Sequence, residues 1–277
     1  MDCRLTVLCE NSVAVPHGLI GEHGWAVHLD TGVNRLLLDT GQGLGLLNNS
    51  RALDIDLRRL DGIVISHGHY DHTSGLADVL TLCGGADVYM HPDGFTDRYW
   101  LKDGQCREIG IRHKRGYLEA LGARFVPVRE FAEILPGIHV TGEVPRVTDF
   151  EPPDPTMKIR SGDGAWLQDE LRDDLSLVVE TDRGLTVVLG CAHAGLINIL
   201  THVRAKMPGR PIHMVIGGTH LGFADHSQFE ATVTALRQFG IERLGASHCT
   251  GLANCGRLQQ AFGEQFFFAA AGTRWQC

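Results

Sequence analysis

The residues best suited to chemistry form one short segment, His67-Gly68-His69-Tyr70-Asp71-His72. Three imidazoles and a carboxylate follow a β-branched, apolar run that is typical of a buried strand. Because His67 and His69 are two positions apart, extended backbone would point both side chains the same way. Imidazole and carboxylate ligands suit transition metals better than calcium, which takes more oxygen ligands. The segment therefore predicts a metal site at the end of a strand.

The candidate ligands in this segment are too many for a single ion to bind from one turn. We therefore assign His67 and His69 to one divalent ion, and Asp71 and His72, at the start of the next helix, to a second adjacent ion. Asp71 is also a candidate catalytic residue, because its carboxylate could orient a water molecule between the ions. Zinc is the favoured metal, with Fe, Mn or Ni as alternatives, since all of them accept these ligand types.

Each ion needs further ligands, and residues after later strand-like segments can supply them. Cys191 and His193 follow one apolar run, His220 follows a second, and His248 follows a third. We predict His193 and His248 as metal ligands. Cys191 is either a bridging thiolate or a small apolar core residue. His220 is a candidate general acid, with a supporting hydrogen-bond donor or a substrate contact as alternatives.

The elements that must position these residues alternate between strands and helices. Apolar runs of four to seven residues, separated by turn signals, predict strands, and apolar residues at helical spacing predict helices. Strands are expected near 5–9, 25–29, 34–39, 61–66, 87–91, 123–128, 138–141, 175–180, 185–189, 212–216, 243–247 and 265–269, and helices near 44–53, 73–82, 194–206, 227–239 and 251–262. Two strand-rich halves that each close with β–α–β alternation predict an α/β fold, a four-layer αββα sandwich.

Two polar stretches interrupt this alternation. Residues 92–117 carry six Lys and Arg side chains, and residues 143–174 contain four prolines. We interpret both as insertions into a single domain that spans 1–277, the second being an ordered surface loop. A basic group in the first insertion is a candidate contact for an anionic substrate, with a solvated charged face as the alternative. Its members are Arg107, Arg112, Lys114 and Arg115.

Composition limits the class of protein and of partner. The chain has 25 Lys and Arg against 33 Asp and Glu, a net charge of −8, which argues against a general nucleic-acid binder. Neither an export signal nor a membrane span is visible. The eight cysteines are scattered without a C-x-x-C pair and are expected to be reduced thiols. We expect a cytoplasmic protein with a small-molecule substrate and no nucleic-acid or membrane partner, and the oligomeric state stays open.

At these residues the chain resembles the metallo-β-lactamase superfamily over nearly its full length. The Leu38-Asp39-Thr40-Gly41 turn and the segment 67–72 are both typical of that superfamily. Other motifs are similar to one subgroup, whose archaeal members are dihydropterin–aminobenzene ribose phosphate synthases and whose bacterial members are metal-dependent hydrolases without a known substrate. Those motifs are Gly142-Glu143-Val144-Pro145-Arg146, Gly190-Cys191-Ala192-His193-Ala194-Gly195, Gly217-Gly218-Thr219-His220-Leu221 and His248-Cys249-Thr250-Gly251.

The resemblance implies an αββα sandwich with two metal ions at the edges of the sheets. It also shows a departure from the wider superfamily. Where most members have a metal-bridging Asp, this chain has Cys191 and His193, and where many have a further His, it has Glu143. The departure leaves open which ion His193 binds and whether any residue bridges the metals. His248 is the expected third ligand of the ion that Asp71 and His72 bind.

Three functions are consistent with this sequence. The first is a metal-dependent hydrolase in which metal-activated water attacks an ester, lactone or phosphoester, with His220 protonating the leaving group. The second follows the subgroup, and is a transferase that joins a pterin-methyl diphosphate to an aminobenzene ribose phosphate with diphosphate as leaving group. The third is a non-catalytic or sensory metal-binding protein, which the departure in the ligand set suggests.

Overall fold

Two large sheets form the centre of the molecule in the computed structural model, which describes residues 2–16 and 18–276. In the described part of the chain each large sheet has seven strands. The first sheet has the order β18-β1-β2-β3-β4-β5-β8, with β1 (Arg4–Cys9), β2 (Ala26–Asp30), β3 (Arg35–Leu38), β4 (Gly62–Val64), β5 (Ala86–Met90), β8 (Ala123–Pro127) and β18 (Arg274–Gln276). The second has the order β17-β16-β15-β14-β13-β10-β9, with β9 (Ala132–Leu135), β10 (Ile138–Val140), β13 (Ser176–Thr181), β14 (Gly184–Leu189), β15 (Ile212–Gly218), β16 (Arg243–Ser247) and β17 (Phe266–Phe268).

Helices cover the outer face of each sheet. Their bounds are α1 (Leu46–Ala52), α2 (Tyr70–Thr73), α3 (Leu76–Cys83), α4 (Arg115–Ala120), α5 (Leu196–Lys206), α6 (His226–Arg237) and α7 (Leu252–Phe262). One apolar core joins the inner faces of the two sheets, a second lies between the first sheet and α1, α3 and α4, and a third lies between the second sheet and α5–α7. Burial of apolar side chains on both faces of each sheet produces the predicted four-layer αββα sandwich.

Parallel strand pairing determines where the chemistry-bearing turns meet. Strands β3, β4 and β5 are mutually parallel, and so are β14, β15 and β16. The carboxyl ends of parallel strands lie at the same edge of a sheet, which is where α/β proteins place their ligand sites. The turns that carry the candidate residues follow β3, β4, β14, β15 and β16.

The two insertions contain strands that the sequence did not predict. Strands β6 (Arg98–Lys102) and β7 (Gln105–Glu108) lie in the first insertion, and β11 (Met157–Arg160) and β12 (Trp166–Gln168) lie in the second. They join as a third sheet with the order β12-β11-β6-β7. The interpretation of 143–174 as an ordered surface loop was therefore incomplete, because its strand β11 pairs with β6, which lies far away in sequence.

The helix predicted over 73–82 is α3 in the structure, and Gly75, just before it, separates it from the short helix α2. A Cβ atom at Gly75 would collide with the carbonyl oxygen of Thr40, so the backbone approaches too closely there for any other residue. No helix in the described part of the chain is long and apolar enough to span a membrane. Six cysteines among the described residues are free thiols, whereas Cys3 is disulfide-bonded, so the prediction of reduced thiols was wrong for Cys3.

Candidate metal centre

A buried ion pair between the two insertions, with Arg98 in the first and Asp169 and Asp173 in the second, holds the turn that carries the histidines. The amide of Gly68, between His67 and His69, donates to Asp173 Oδ2 at 2.8 Å. The buried Arg98 guanidinium donates to Asp173 Oδ1 and to Asp169 Oδ2, both at 2.8 Å. A Cβ atom at position 68 would overlap the carbonyl oxygen of Gly94, in the first insertion. The two insertions together therefore fix the backbone of the histidine turn.

His67, His69 and His193 form the first ligand cluster. Their nearest ring nitrogens lie within 4.8 Å of one another, and His67 Nε2 is 2.9 Å from His69 Nδ1. All three side chains are buried. Among the described residues, neither ring nitrogen of His193 has a hydrogen-bond partner, and the same is true of His69 Nε2. Buried polar atoms normally have partners, so converging, unpartnered imidazole nitrogens fit a bound cation.

Asp71, His72 and His248 form the second ligand cluster. His248 Nε2 lies 3.2 Å from His72 Nε2 and 3.4 Å from Asp71 Oδ2, and His72 Nε2 lies 3.8 Å from that same oxygen. Zinc bonds of 2.0–2.1 Å in a tetrahedral site separate N and O ligands by about 3.3–3.4 Å. The donor types and their spacing therefore fit a divalent transition metal.

Cys191 lies beside both clusters. Its Sγ is 3.2 Å from His72 Nε2, and the ligand atoms of His67, His72 and Cys191 lie within 4.8 Å of one another. Cys249, which the sequence analysis did not single out, is also adjacent, since its thiol donates to the carbonyl oxygen of Cys191 at 3.4 Å. Burial raises the pKa of the Cys191 thiol well above its usual range. A metal ion would be needed to hold this sulfur as a thiolate.

A carboxylate behind the ligands determines which ring nitrogens are free to bind a metal. Asp39 Oδ2 accepts from Ser66 Oγ and from His72 Nδ1, both at 2.7 Å. Since Ser66 donates its only proton to Asp39, its oxygen must accept from His67 Nδ1, which is 2.9 Å away. Nδ1 of both imidazoles is therefore occupied by a proton, and Nε2 is the nitrogen left to bind a metal.

Burial and neighbouring charges shift the pKa values of the candidate ligands in opposite directions. Burial holds the pKa values of His67, His69 and His193 well below their usual range. Burial would also lower the pKa of His72, but the carboxylates of Asp39 and Asp71 outweigh it and raise that pKa to about 9. Burial would raise the pKa of Asp71, yet the neighbouring imidazoles hold it well below its usual range.

His220 lies at the edge of the first cluster. Its ring centroid is 4.3 Å from that of His193, and its Nε2 is 3.3 Å from Asp154 Oδ2 in the second insertion. Burial would lower the pKa of His220, but the hydrogen bond to Asp154 and the nearby thiol of Cys249 outweigh it and raise that pKa to about 9. His220 can therefore hold a proton beside the candidate ligands.

The basic group does not converge on the ligands as a set. Arg112 lies over the ring of Tyr70, within the metal-binding turn, at 4.8 Å from the ring centroid. Arg107 lies over Trp100 in the small third sheet, and Arg115 lies over Phe125. Lys114 immediately precedes α4. Arg112 is the member of this group that contacts the turn.

Two further residues at the site were not predicted from the sequence. His23, in the loop between β1 and β2, has its Nε2 3.3 Å from Asp71 Oδ2. Asn11 Oδ1 lies 3.0 Å from His248 Nδ1, and Asn11 Nδ2 lies 3.2 Å from His23 Nδ1. Nothing in the local sequence marks this loop, because its residues reach the site only when the two sheets pack together.

Backbone strain is concentrated at this centre. In the described part of the chain, seven non-glycine residues have positive φ angles. Four of them, Asp39, Ala192, His220 and His248, lie in the turns that form the site. Such conformations cost on the order of 1–3 kcal/mol each and persist where surrounding structure imposes them, often at functional sites.

Comparisons with known proteins agree with this fold. The chain is 27% identical over 97% of its length to 7,8-dihydropterin-6-methyl-4-(β-D-ribofuranosyl)-aminobenzene-5′-phosphate synthase of Methanocaldococcus jannaschii, and covers 95% of that protein. It is 30% identical over 86% of its length to an uncharacterized protein of the same organism, covering 88% of it. The crystal structure of a metal-dependent hydrolase of the β-lactamase superfamily is similar, with a TM-score of 0.85, 29% identity and 99% coverage of both chains.

The sequence also matches the model of the metallo-β-lactamase superfamily over residues 22–206, about two thirds of the chain. That range includes the turn after β3, the histidine turn and the turn after β14. The chain therefore belongs to the metallo-β-lactamase superfamily.

Proposed function

We propose that this protein is a metal-dependent hydrolase with two divalent ions, zinc most favourably, that cleaves an ester, a lactone or a phosphoester. The observation that carries the proposal is the pair of adjoining ligand clusters, His67, His69 and His193 in one and Asp71, His72 and His248 in the other. Ions held there would supply Lewis acidity and lower the pKa of bound water.

The protein groups around the clusters have separate roles in this proposal. Asp71 stays ionised, because neighbouring imidazoles lower its pKa, and its carboxylate would bind one ion and orient a water molecule. His220 holds its Nε2 proton against Asp154, and its buried Nδ1 has no hydrogen-bond partner among the described residues. Through that imidazole the leaving group would receive its proton.

Metal reconstitution tests this proposal. Chelator-treated protein is loaded separately with Zn, Fe, Mn or Ni, its metal content is measured, and it is assayed on panels of esters, lactones and phosphodiesters. We expect about two ions per chain and turnover of one substrate class, both lost on chelation. Asp71→Asn should lose turnover and the second ion, whereas Asp87→Asn, at a surface carboxylate paired with Arg124, should retain both. Full turnover by metal-depleted protein would refute the hydrolase.

A transferase is the second candidate, and near full-length similarity to the synthase favours it. In this reaction a pterin-methyl diphosphate would be joined to an aminobenzene ribose phosphate, with release of diphosphate. Arg112, over Tyr70 beside Asp71, is the cation best placed to attract an anionic substrate.

Acceptor dependence separates the two reactions. Incubating the metal-loaded protein with a pterin-methyl diphosphate, with and without the acceptor, shows whether diphosphate release requires it. Release only with acceptor indicates the transferase, and release into water indicates the hydrolase. For the transferase, Arg112→Ala should raise KM, whereas Arg237→Ala, which removes an arginine stacked on Phe262 elsewhere, should not.

A further inference from the structure

His23 has a position from which it could either bind a metal or support a ligand. Its side chain is 53% exposed, and its Nε2 lies 3.3 Å from the buried Asp71 Oδ2. Its ring centroid is 4.9 Å from that of His248. The ligand atoms of His23, Asp71 and His248 lie within 4.8 Å of one another, so distance alone does not separate the two roles.

The side-chain amide of Asn11 distinguishes between these two roles of His23. Its Oδ1 accepts from the backbone N–H of Gly24 at 3.4 Å, which can only donate, so the oxygen must be on that side. The same Oδ1 lies 3.0 Å from His248 Nδ1, which must therefore carry a proton. The Nδ2 group, which only donates, lies 3.2 Å from His23 Nδ1, which must therefore present a lone pair.

Opposite tautomers follow for the two rings, because a neutral imidazole has one donor and one acceptor nitrogen. His248 has its lone pair on Nε2, the atom that faces His72 and Asp71. His23 has its proton on Nε2, the atom that faces Asp71. A protonated nitrogen cannot bind a metal, but it can donate to a carboxylate that does.

We propose that His23 is a positioning residue of the second metal cluster: its Nε2–H donates to Asp71, and Asn11 keeps it in the tautomer that does not bind the ion. This inference rests on the second ion of the proposed function. His23 thereby holds the ligand oxygen from the solvent side, where the cluster is not covered by the buried core.

Ring-nitrogen NMR tests the tautomers directly. In zinc-loaded protein with 15N-labelled histidine, long-range 1H–15N correlations should show His23 protonated at Nε2 with a free lone pair on Nδ1. His248 should be protonated at Nδ1. His23→Gln and His248→Gln identify the signals. A proton on His23 Nδ1, or a metal-bound shift at its Nε2, would overturn the proposal. The tautomers can be measured even if the wild-type protein binds a single ion. Binding of a single ion would contradict the proposed dinuclear function but not the tautomer of His23.

Cobalt titration tests the positioning role. His23→Gln retains an N–H donor and should bind the second Co²⁺ within about threefold of wild type. His23→Leu should weaken that ion by about 10–100-fold and leave the first unchanged, which also shows that the variant is folded. His226→Gln, at an exposed histidine in α6, is the control. Equal affinities in His23→Leu and wild type would contradict the proposal.

A third variant reverses the tautomer of His23. In Asn11→Asp a carboxylate faces both rings and accepts from both Nδ1 atoms, which would free His23 Nε2. X-ray absorption of the cobalt protein should then show one additional nitrogen ligand at the second ion. An unchanged ligand count, with His23 still protonated at Nε2, would show that Asn11 does not set the tautomer.

Discussion

The fully buried carboxylate of Asp39 determines which nitrogen of His72 would face the proposed second ion. Its Oδ1 accepts from the backbone N–H of Ser66 at 2.7 Å. Its Oδ2 accepts from Ser66 Oγ and from His72 Nδ1, both at 2.7 Å. An ionised carboxylate can accept all three bonds, which an amide cannot do.

The substitution Asp39→Asn should place a proton on the metal-binding atom of His72. The amide oxygen must face Ser66 N–H, which cannot reverse, so the amide NH₂ faces His72 Nδ1. His72 then accepts there and carries its proton on Nε2. Altering the partner of a metal-bound imidazole typically weakens metal affinity 10–100-fold, about 1.4–2.7 kcal/mol. The first ion should be affected less, because Ser66 Oγ can still accept from His67.

A Co²⁺ titration against a chromophoric chelator measures both affinities in one experiment. We expect the second equivalent to weaken by 10–100-fold and the first by much less. Asp87→Asn, which removes a surface charge of the same type, should match wild type, and circular dichroism verifies folding. Two equivalents bound with wild-type affinity by Asp39→Asn would refute the tautomer argument.

Three other substitutions test different parts of the structure. Arg98→Met leaves two carboxylates buried without their cation, and chemical denaturation should show a loss of about 3–5 kcal/mol, which Arg124→Met should not show. Cobalt-loaded wild type should show a sulfur-to-cobalt charge-transfer band, because Cys191 Sγ lies beside His72. The band should be absent in Cys191→Ser and present in the control Cys255→Ser. Equal bands in all three proteins would exclude Cys191 as a ligand. Burial lowers the pKa of His28 to about 4, below its unfolded value, so its contribution to stability is complete above about pH 6.5 and is lost as the pH falls through 4. His28→Leu should reduce the fall in unfolding free energy between pH 7 and 4 by up to about 3 kcal/mol, measured in chelator-treated protein, and an unchanged pH profile would contradict this account.

The regular parts of the fold were predictable because they depend on local patterns. Buried strands such as β4 and β14 are short apolar runs bounded by turn residues, and the histidine turn follows one of them directly. The strand pairing of the two insertions was not predictable. β6 and β11 bury few apolar side chains and pair across more than 50 residues of sequence, so no local pattern reveals them.

The candidate ligands were predictable from the sequence, whereas the residues that support them were not. A candidate ligand such as His69 is conspicuous because its neighbours in sequence are also candidate ligands. Asp39, Asn11 and Arg98 act through hydrogen bonds to atoms far away in the chain, and their local sequence is that of an ordinary turn, loop or strand. Tertiary packing creates these contacts, so they could be found only in the folded structure.

Burial and the supporting carboxylates would set the pH at which each proposed ion binds. A ligand that is protonated must release its proton before it binds, which weakens affinity as the pH falls. Burial keeps the pKa values of His67, His69 and His193 low, so the first cluster holds neutral imidazoles before any ion arrives. In the second cluster the pKa of His72 is raised to about 9 by two carboxylates, so an ion that enters there must displace its second proton. The first cluster should therefore fill at lower pH than the second, and the carboxylates that make His72 basic are also those that compensate the charge of the entering ion.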